Sequence, residues 1–166
     1  MKYLLDISLL VALLTKSHTH HAIARAWFSG KPVAVCPFSE LGFIRVSMSP
    51  AHNATMGQAR EALEHFYANE GAEFLAADIS ALDGQPSPSA GKSTDWYLAN
   101  LAEAHGLKWG TLDKTAGHPA RELVLRNNFS VFALARRAGS GKMRAWPGRG
   151  RTRCAHWHHH FFYCRV

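Results

Sequence analysis

Four acidic side chains occupy similar positions along the chain, and their spacing is the first sign of chemistry. They are Asp6, Glu40, Asp95 and Asp113, and each follows a short apolar run or lies in the first turn of a helix that the pattern predicts. Strand ends and helix starts meet at one edge of an open parallel sheet. Carboxylates gathered there would have raised pKa values unless a cation neutralised them. All-oxygen ligands favour Mg²⁺ or Mn²⁺ over zinc, so the spacing predicts a divalent cation site.

Each of these acids also has a simpler explanation. Asp6 can act as the N-cap of the helix that follows it, a role that Ser8 could also fill. Asp95 would be favourable at the positive end of a helix, Asp113 suits a turn, and Glu40 could simply be solvated. The residues alone leave both explanations open.

The elements that would position these acids alternate between strand and helix throughout residues 1–125. The predicted strands are 3–5, 33–36, 73–76, 107–112 and 122–125, and the predicted helices are 9–14, 19–27, a helix from Pro37 that stops before Pro50, 55–69 and 94–105. Thr19, Thr55 and Thr94 are the predicted helix caps. The loop 84–92, rich in Pro, Ser and Gly, is predicted to be mobile. This alternation predicts an α/β fold, a three-layer α/β/α sandwich around a mainly parallel sheet.

The charge distribution divides the chain in two. All 12 acidic residues lie at or before Glu122, together with 10 of the 19 Lys and Arg residues, and the other 9 basic residues follow without any acid. We therefore predict a folded domain over 1–125 and a basic tail over 126–166 that is disordered, poorly packed or even non-native. The alternative for the tail is a basic arm that binds nucleic acid loosely.

Composition argues against secreted and membrane proteins. Three cysteines, Cys36, Cys154 and Cys164, are too few and too scattered for a disulfide framework, and Cys36 is expected to be a buried thiol. No stretch reaches the roughly 20 apolar residues that cross a bilayer. Asp6 interrupts the apolar N-terminal run, and no small-residue cleavage site follows it. We expect a soluble, unprocessed cytoplasmic protein with no membrane partner.

Four short motifs contain the acids. They are Leu4-Leu5-Asp6-Ile7-Ser8, Ser39-Glu40-Leu41-Gly42-Phe43-Ile44-Arg45, Thr94-Asp95-Trp96-Tyr97-Leu98 and Thr111-Leu112-Asp113. In this order and spacing they resemble the acidic motifs of PIN-domain ribonucleases, and especially the VapC-type toxins of bacterial toxin–antitoxin modules. The resemblance covers residues 1–125 and does not extend to the tail.

The resemblance implies a PIN-like fold and a metal-dependent endoribonuclease that uses Mg²⁺, with Mn²⁺ as a possible substitute. It assigns the catalytic and metal-holding roles to Asp6, Glu40, Asp95 and Asp113. The supporting positions that it implies are Ser8, Thr94, Thr111 and Arg45, of which Arg45 would pair with a site carboxylate or meet a phosphate. The partners that it implies are an RNA substrate, a cognate antitoxin and a second copy of the chain in a homodimer.

Several alternatives remain at this stage. A PIN-like module could bind RNA or protein without catalysis, and a different metal-dependent phosphohydrolase could use a similar sheet. Lys92, close to Asp95, would touch the RNA backbone or remain a solvated loop lysine. The first two helices and the 55–69 helix are expected to form either partner surfaces or plain core.

Overall fold

A computed structural model of the protein describes residues 1–125, so the predicted basic tail at 126–166 lies outside the described residues. The strands are β1 (Tyr3–Leu5), β2 (Val33–Val35), β3 (Glu73–Phe74), β4 (Lys108–Thr111) and β5 (Arg121–Leu123). The helices are α1 (Ile7–Leu14), α2 (His21–Phe28), α3 (Pro37–Ser47), α4 (Met56–Glu70) and α5 (Ser93–Ala104), and a 3-10 turn (Ala90–Lys92) precedes α5.

The strands form one sheet in the order β3-β2-β1-β4-β5, and all neighbouring pairs are parallel. The central strand β1 is flanked on both sides, with Leu4 opposite Ala34 in β2 and Trp109 in β4. Because successive strand residues point to opposite faces, Leu5 packs with α1, α2, α3 and α4 whereas Leu4 packs with α5. Helices therefore cover both faces of the sheet, and the predicted three-layer α/β/α sandwich is confirmed.

The contact between α1 and α3 brings the start of α3 to the end of β1. Gly42 makes this contact possible, because a Cβ there would lie 2.4 Å from Cδ1 and 2.5 Å from Cγ1 of Ile7. The buried hydroxyl of Ser39 donates to the carbonyl oxygen of Leu5 at 2.7 Å. Together these contacts fix the helix that carries Glu40 against the strand that ends at Asp6.

Five consecutive residues of α1, Leu9 to Leu13, are buried. They belong to the core between the sheet and the neighbouring helices. Most of the first helix is therefore core, as one of its two expected roles predicted.

The predicted helix caps hold at one position and fail at two. Thr55 caps α4, since its hydroxyl accepts from Gln58 N and Gln58 Oε1 accepts from Thr55 N. The prediction that Thr19 caps α2 was wrong, because a backbone-bonded turn runs directly into that helix. The prediction for Thr94 was also wrong, because the 3-10 turn continues into α5 and leaves Lys92 at the cap position.

The loop before α5 is anchored at its start, although its composition predicted a mobile segment. Asn100 donates to the carbonyl oxygens of Gln85 (2.9 Å) and Asp83 (3.3 Å) and accepts from the N–H of Gln85 (3.1 Å). Gly84 lies between them with φ +77°, and a Cβ there would come within 2.6 Å of Asn100 Cγ. Only glycine suits both the conformation and the space.

No helix within residues 1–125 combines the length and the apolar character needed to cross a membrane.

Candidate metal centre

Asp6 lies at the carboxyl end of β1 and is only 4% exposed. Its Oδ1 accepts from the N–H of Ile7 at 2.7 Å, while Oδ2 accepts from the hydroxyls of Ser8 (2.5 Å) and Thr111 (2.8 Å). Burial raises the pKa of Asp6, the hydroxyls of Ser8 and Thr111 act against this rise, and the nearby charge of Asp95 adds to it. Asp6 therefore caps α1, as the simpler explanation predicted, and also carries a buried carboxylate oxygen fixed by a distant strand.

Thr111 joins the first acid to the last. Its hydroxyl donates to Asp6 Oδ2 and accepts from the backbone N–H of Asp113 at 3.0 Å. Both ends of this link lie at the carboxyl edge of the sheet, because β1 and β4 are neighbouring parallel strands. The fully buried Thr111 thus sets the position of Asp113 relative to Asp6.

Lys92 lies between Asp95 and Asp113. Its ammonium donates to Asp113 Oδ2 and lies 3.4 Å from Asp95 Oδ2. This hydrogen bond lowers the pKa of Asp113 to about 2, against a smaller opposing effect of burial. The same contact raises the pKa of Lys92. We call Asp6, Thr111, Asp113, Lys92 and Asp95 the carboxylate network.

This contact bears on the alternatives that the sequence left open for Lys92. Lys92 pairs with two of the predicted acids and is not simply a solvated loop lysine. The 3-10 turn places it one turn ahead of Asp95 on the same side of the helix start.

Glu40 has a partner outside this network. The hydroxyl of Tyr67 in α4 donates to Glu40 Oε1 at 2.8 Å, and burial together with Glu40 raises the pKa of Tyr67. Glu40 and Tyr67 line a cavity of about 220 Å³ that also includes Arg60 and Glu64. Within residues 1–125, Glu40 forms no hydrogen bond or ion pair with the other three predicted acids.

Arg45 and Thr94 line a second, larger cleft together with Asp95. Its volume is about 630 Å³. Both Arg45 and Thr94 are exposed, and Arg45 makes no ion pair with the described residues. Exposed apolar side chains line the same cleft, namely Phe38 (44%), Leu41 (65%), Met48 (45%) and Met56 (49%). Met56 is the first residue of α4 and opens into the cleft.

The donor set of the carboxylate network fits Mg²⁺ in its chemistry. Asp95 and Asp113 already share one positive group, the ammonium of Lys92. Mg²⁺ in proteins is commonly bound by one or two carboxylates together with water. Among residues 1–125 the hydrogen-bond partners of Asp6 are all neutral. A nearby cation would therefore lower the free-energy cost of burying this charged carboxylate. In the same part of the chain, no three His, Cys, Asp or Glu side chains converge as a ready-made metal cage. The reason is visible in the contacts, since Lys92 holds two of the acids and Tyr67 holds Glu40.

Two contacts of the site were not predicted from the sequence, those of Lys92 with the acids and that of Tyr67 with Glu40. The pairing of Lys92 had a signal, because a residue three positions before Asp95 can meet it across one helical turn. Tyr67 had none, because its contact with Glu40 depends on how α3 packs against α4.

The fold and the network define an α/β protein with acids at the carboxyl edge of a parallel sheet, and comparisons with known proteins give the family. The chain is 38% identical to ribonuclease VapC38 of Mycobacterium tuberculosis H37Rv over 118 residues, which are 66% of this chain and 84% of that protein. It is 32% identical to ribonuclease VapC44 of the same organism over 125 residues, or 69% of this chain and 88% of that protein. No protein-family model matches the chain.

These relatives show that the chain belongs to the family of VapC-type PIN-domain ribonucleases, as the motifs predicted. Among solved structures, the chain is similar to VapBC2 from Rickettsia felis bound to a DNA fragment from their promoter. That similarity has a TM-score of 0.48 and 16% identity and covers 74% of this chain and 97% of the solved chain.

Proposed function

We propose that this chain is the toxin of a toxin–antitoxin module and that it acts as a Mg²⁺-dependent endoribonuclease, with Mn²⁺ as a substitute. The observation that carries the proposal is the carboxylate network. It links Asp6 to Asp113 through the hydroxyl of Thr111, and Asp113 to Asp95 through the ammonium of Lys92. Two of these acids, Asp95 and Asp113, already contact one positive charge at this edge of the sheet, so they are suited to hold a divalent cation.

In this proposal Asp95 and Asp113 would hold the metal, and Asp6 and Glu40 would complete the acidic set. When bound, Mg²⁺ lowers the pKa of a water molecule and offsets negative charge on a phosphoryl oxygen. Ser8 and Thr111 keep the carboxylate of Asp6 in one orientation, because both donate to the same oxygen. Tyr67 restrains Glu40 in the same way.

The proposed reaction is hydrolysis of an RNA phosphodiester bond. Water adds to phosphorus, the bond from phosphorus to the 3′-oxygen breaks, and that oxygen takes up a proton. The products carry a 5′-phosphate and a 3′-hydroxyl. Arg45 is exposed in the cleft that contains Asp95 and is suited to meet an RNA phosphate.

The same cleft supports a protein partner for the enzyme. Its exposed apolar side chains would be covered by the apolar face of an antitoxin segment, which would also block RNA from Asp95. A homodimer and a location in the cytoplasm, where RNA substrates are found, belong to the same proposal.

The proposal is tested by incubating total RNA with the full-length protein in Mg²⁺ and in a chelator. Cleavage should require Mg²⁺, should be lost in Asp6→Ala and Asp95→Ala, and should persist in the control Glu61→Ala, which removes an exposed acid on α4. Circular dichroism checks that the variants fold. Retained cleavage by either site variant would refute the assignment.

Further controls separate the alternative functions. A binding module would retain RNA without cutting it, whereas a different phosphohydrolase would cleave a small phosphoester and leave RNA intact. Mapping the chemistry of the new RNA ends tests the predicted 5′-phosphate.

A further inference from the structure

Lys92 occupies the place where two of the proposed metal ligands meet. Its ammonium contacts Asp113 and lies 3.4 Å from Asp95, and these three side chains are 32%, 26% and 27% exposed. The contact comes from within the chain, because Lys92 ends the 3-10 turn directly before α5. The backbone N–H of Lys92 donates to the carbonyl oxygen of Ser89 at 3.0 Å, so the turn itself fixes the backbone of this lysine.

We propose that Lys92 is a built-in counter-ion that competes with the divalent cation for Asp95 and Asp113 and so sets the metal concentration at which the site is filled. This inference rests on the proposed metal-dependent function. Two positive charges close to the same carboxylates repel each other, so Lys92 would have to move away for Asp95 and Asp113 to hold a metal ion.

The geometry makes such an exchange easy. The lysine side chain has a long flexible stem and a strongly hydrated ammonium, so it can turn into solvent while remaining beside the site. All three side chains are partly exposed, and exposed ion pairs contribute little net stability. A divalent cation, with twice the charge, should therefore displace the ammonium.

Lys92 also has a role in the metal-free protein. The charge of Asp95 acts on the buried carboxylate of Asp6, and Asp95 and Asp113 meet at one ammonium, so without a cation these neighbouring negative charges would repel one another. The ammonium offsets this repulsion. Removal of its charge should therefore weaken the metal-free fold and strengthen metal binding at the same time.

The test is a calorimetric titration of the chelator-treated, full-length protein with Mn²⁺. Lys92→Met keeps the length of the side chain without its charge, and Lys92→Gln is measured beside it so that the result does not depend on one variant. Both should bind Mn²⁺ about fivefold more tightly than wild type, which corresponds to the upper range of an exposed charge pair. Lys92→Arg, which keeps the charge, and Lys16→Met, which removes an exposed lysine on the α1–α2 turn, should stay near the wild-type affinity.

Thermal unfolding gives a second measurement. In chelator, Lys92→Met should unfold at a lower temperature than wild type. Added Mn²⁺ should raise the unfolding temperature of Lys92→Met by more than it raises that of wild type. If wild type binds Mn²⁺ and the neutral variants bind it equally or more weakly, the competition is refuted while the proposed function stands. If neither wild type nor any variant binds Mn²⁺, the metal-dependent function fails, and this inference fails with it.

Discussion

At the scale of single residues, Thr111 carries the connection between the acids. Its hydroxyl serves the buried Asp6 carboxylate and the N–H of Asp113 at once. Thr111→Val keeps the shape and removes both hydrogen bonds, and a hydrogen bond to a charged group contributes about 1.5–3 kcal/mol. We expect RNA cleavage by this variant to fall about tenfold or more. The cleavage rate of Thr111→Val is compared with that of Thr111→Ser, which keeps a hydroxyl. Equal rates for these two variants would show that the hydroxyl is dispensable.

Some of the site was predictable from single residues and some was not. Asp6, Asp95 and Asp113 could be found because each lies at a strand end or helix start, and parallel strands bring such positions to one edge. The contact of Lys92 with Asp113 spans 21 residues of sequence and depends on the course of the loop before α5, which follows no periodic pattern. The turn of Glu40 toward Tyr67 depends on the packing of α4 against α3, a contact across 27 residues of sequence.

At the scale of elements, the contact of α3 with α1 supports the site through Gly42. Gly42→Ala would force a methyl group to within 2.4–2.5 Å of the Ile7 side chain. Overpacking of this kind costs about 1–3 kcal/mol. We expect a corresponding loss in the free energy of unfolding in urea. Ile7→Ala combined with Gly42→Ala should recover part of that loss, and a double mutant no more stable than Gly42→Ala would contradict the contact as its cause.

His118 links the last strand to α5 and makes stability depend on pH. Its Nε2–H donates to Asn100 Oδ1 at 3.0 Å, and its Nδ1 accepts from the N–H of Ala120 at 3.1 Å. This arrangement requires a neutral ring, because a second ring proton would face the Ala120 N–H. Burial lowers the pKa of His118 below 6.5, with a smaller opposing effect from Glu103.

The sign of the pH effect follows from this lowered pKa. Below pH 6.5 the unfolded chain gains a proton that folded His118 resists, so the stabilisation present above pH 6.5 is lost as the pH falls toward the lower folded pKa. The loss reaches at most about 1.4 kcal/mol per pH unit. The free energy of unfolding in urea is measured at pH 7.5 and at pH 5.5. The difference between the two values should be smaller for His118→Gln than for wild type. An equal difference in both proteins would assign the pH dependence to other groups.

The order of the elements followed from hydrophobic pattern, and their boundaries followed from local hydrogen bonds. Thr55 was a correct cap because its partner Gln58 lies three residues ahead, which is a purely local relation. The predictions that Thr19 and Thr94 cap helices were wrong, because backbone turns run directly into these helices. Propensity at one residue cannot reveal where such a turn begins.

At the scale of the whole molecule, the nuclease domain is proposed to end near Leu125. β5 and the bond from the N–H of Val124 to the carbonyl of Thr111 lie before that point. A chain that stops after Leu125 should therefore fold and keep Mg²⁺-dependent cleavage. Circular dichroism and an RNA cleavage assay test both expectations. Loss of the fold on truncation would show that residues 126–166 belong to the domain.

The family could be inferred from the whole sequence because four acidic motifs occur in the right order, and the relatives confirm it. The RNA that is cut and the antitoxin could not be inferred, because the surface that would select them is spread over the cleft. Phe38 and Met48, which line that cleft, come from α3 and its end, whereas Met56 begins α4. No single motif describes such a surface.

The central claim is that the acids of the carboxylate network hold a divalent cation with which the protein cuts RNA. The most direct test measures RNA cleavage by the full-length protein and by Asp113→Asn while Mg²⁺ is varied. Wild type should show no cleavage in chelator and a rate that rises with Mg²⁺ to a plateau, and Asp113→Asn should stay far below it at every concentration. Cleavage that persists in chelator, or the same Mg²⁺ dependence in both proteins, would contradict the claim.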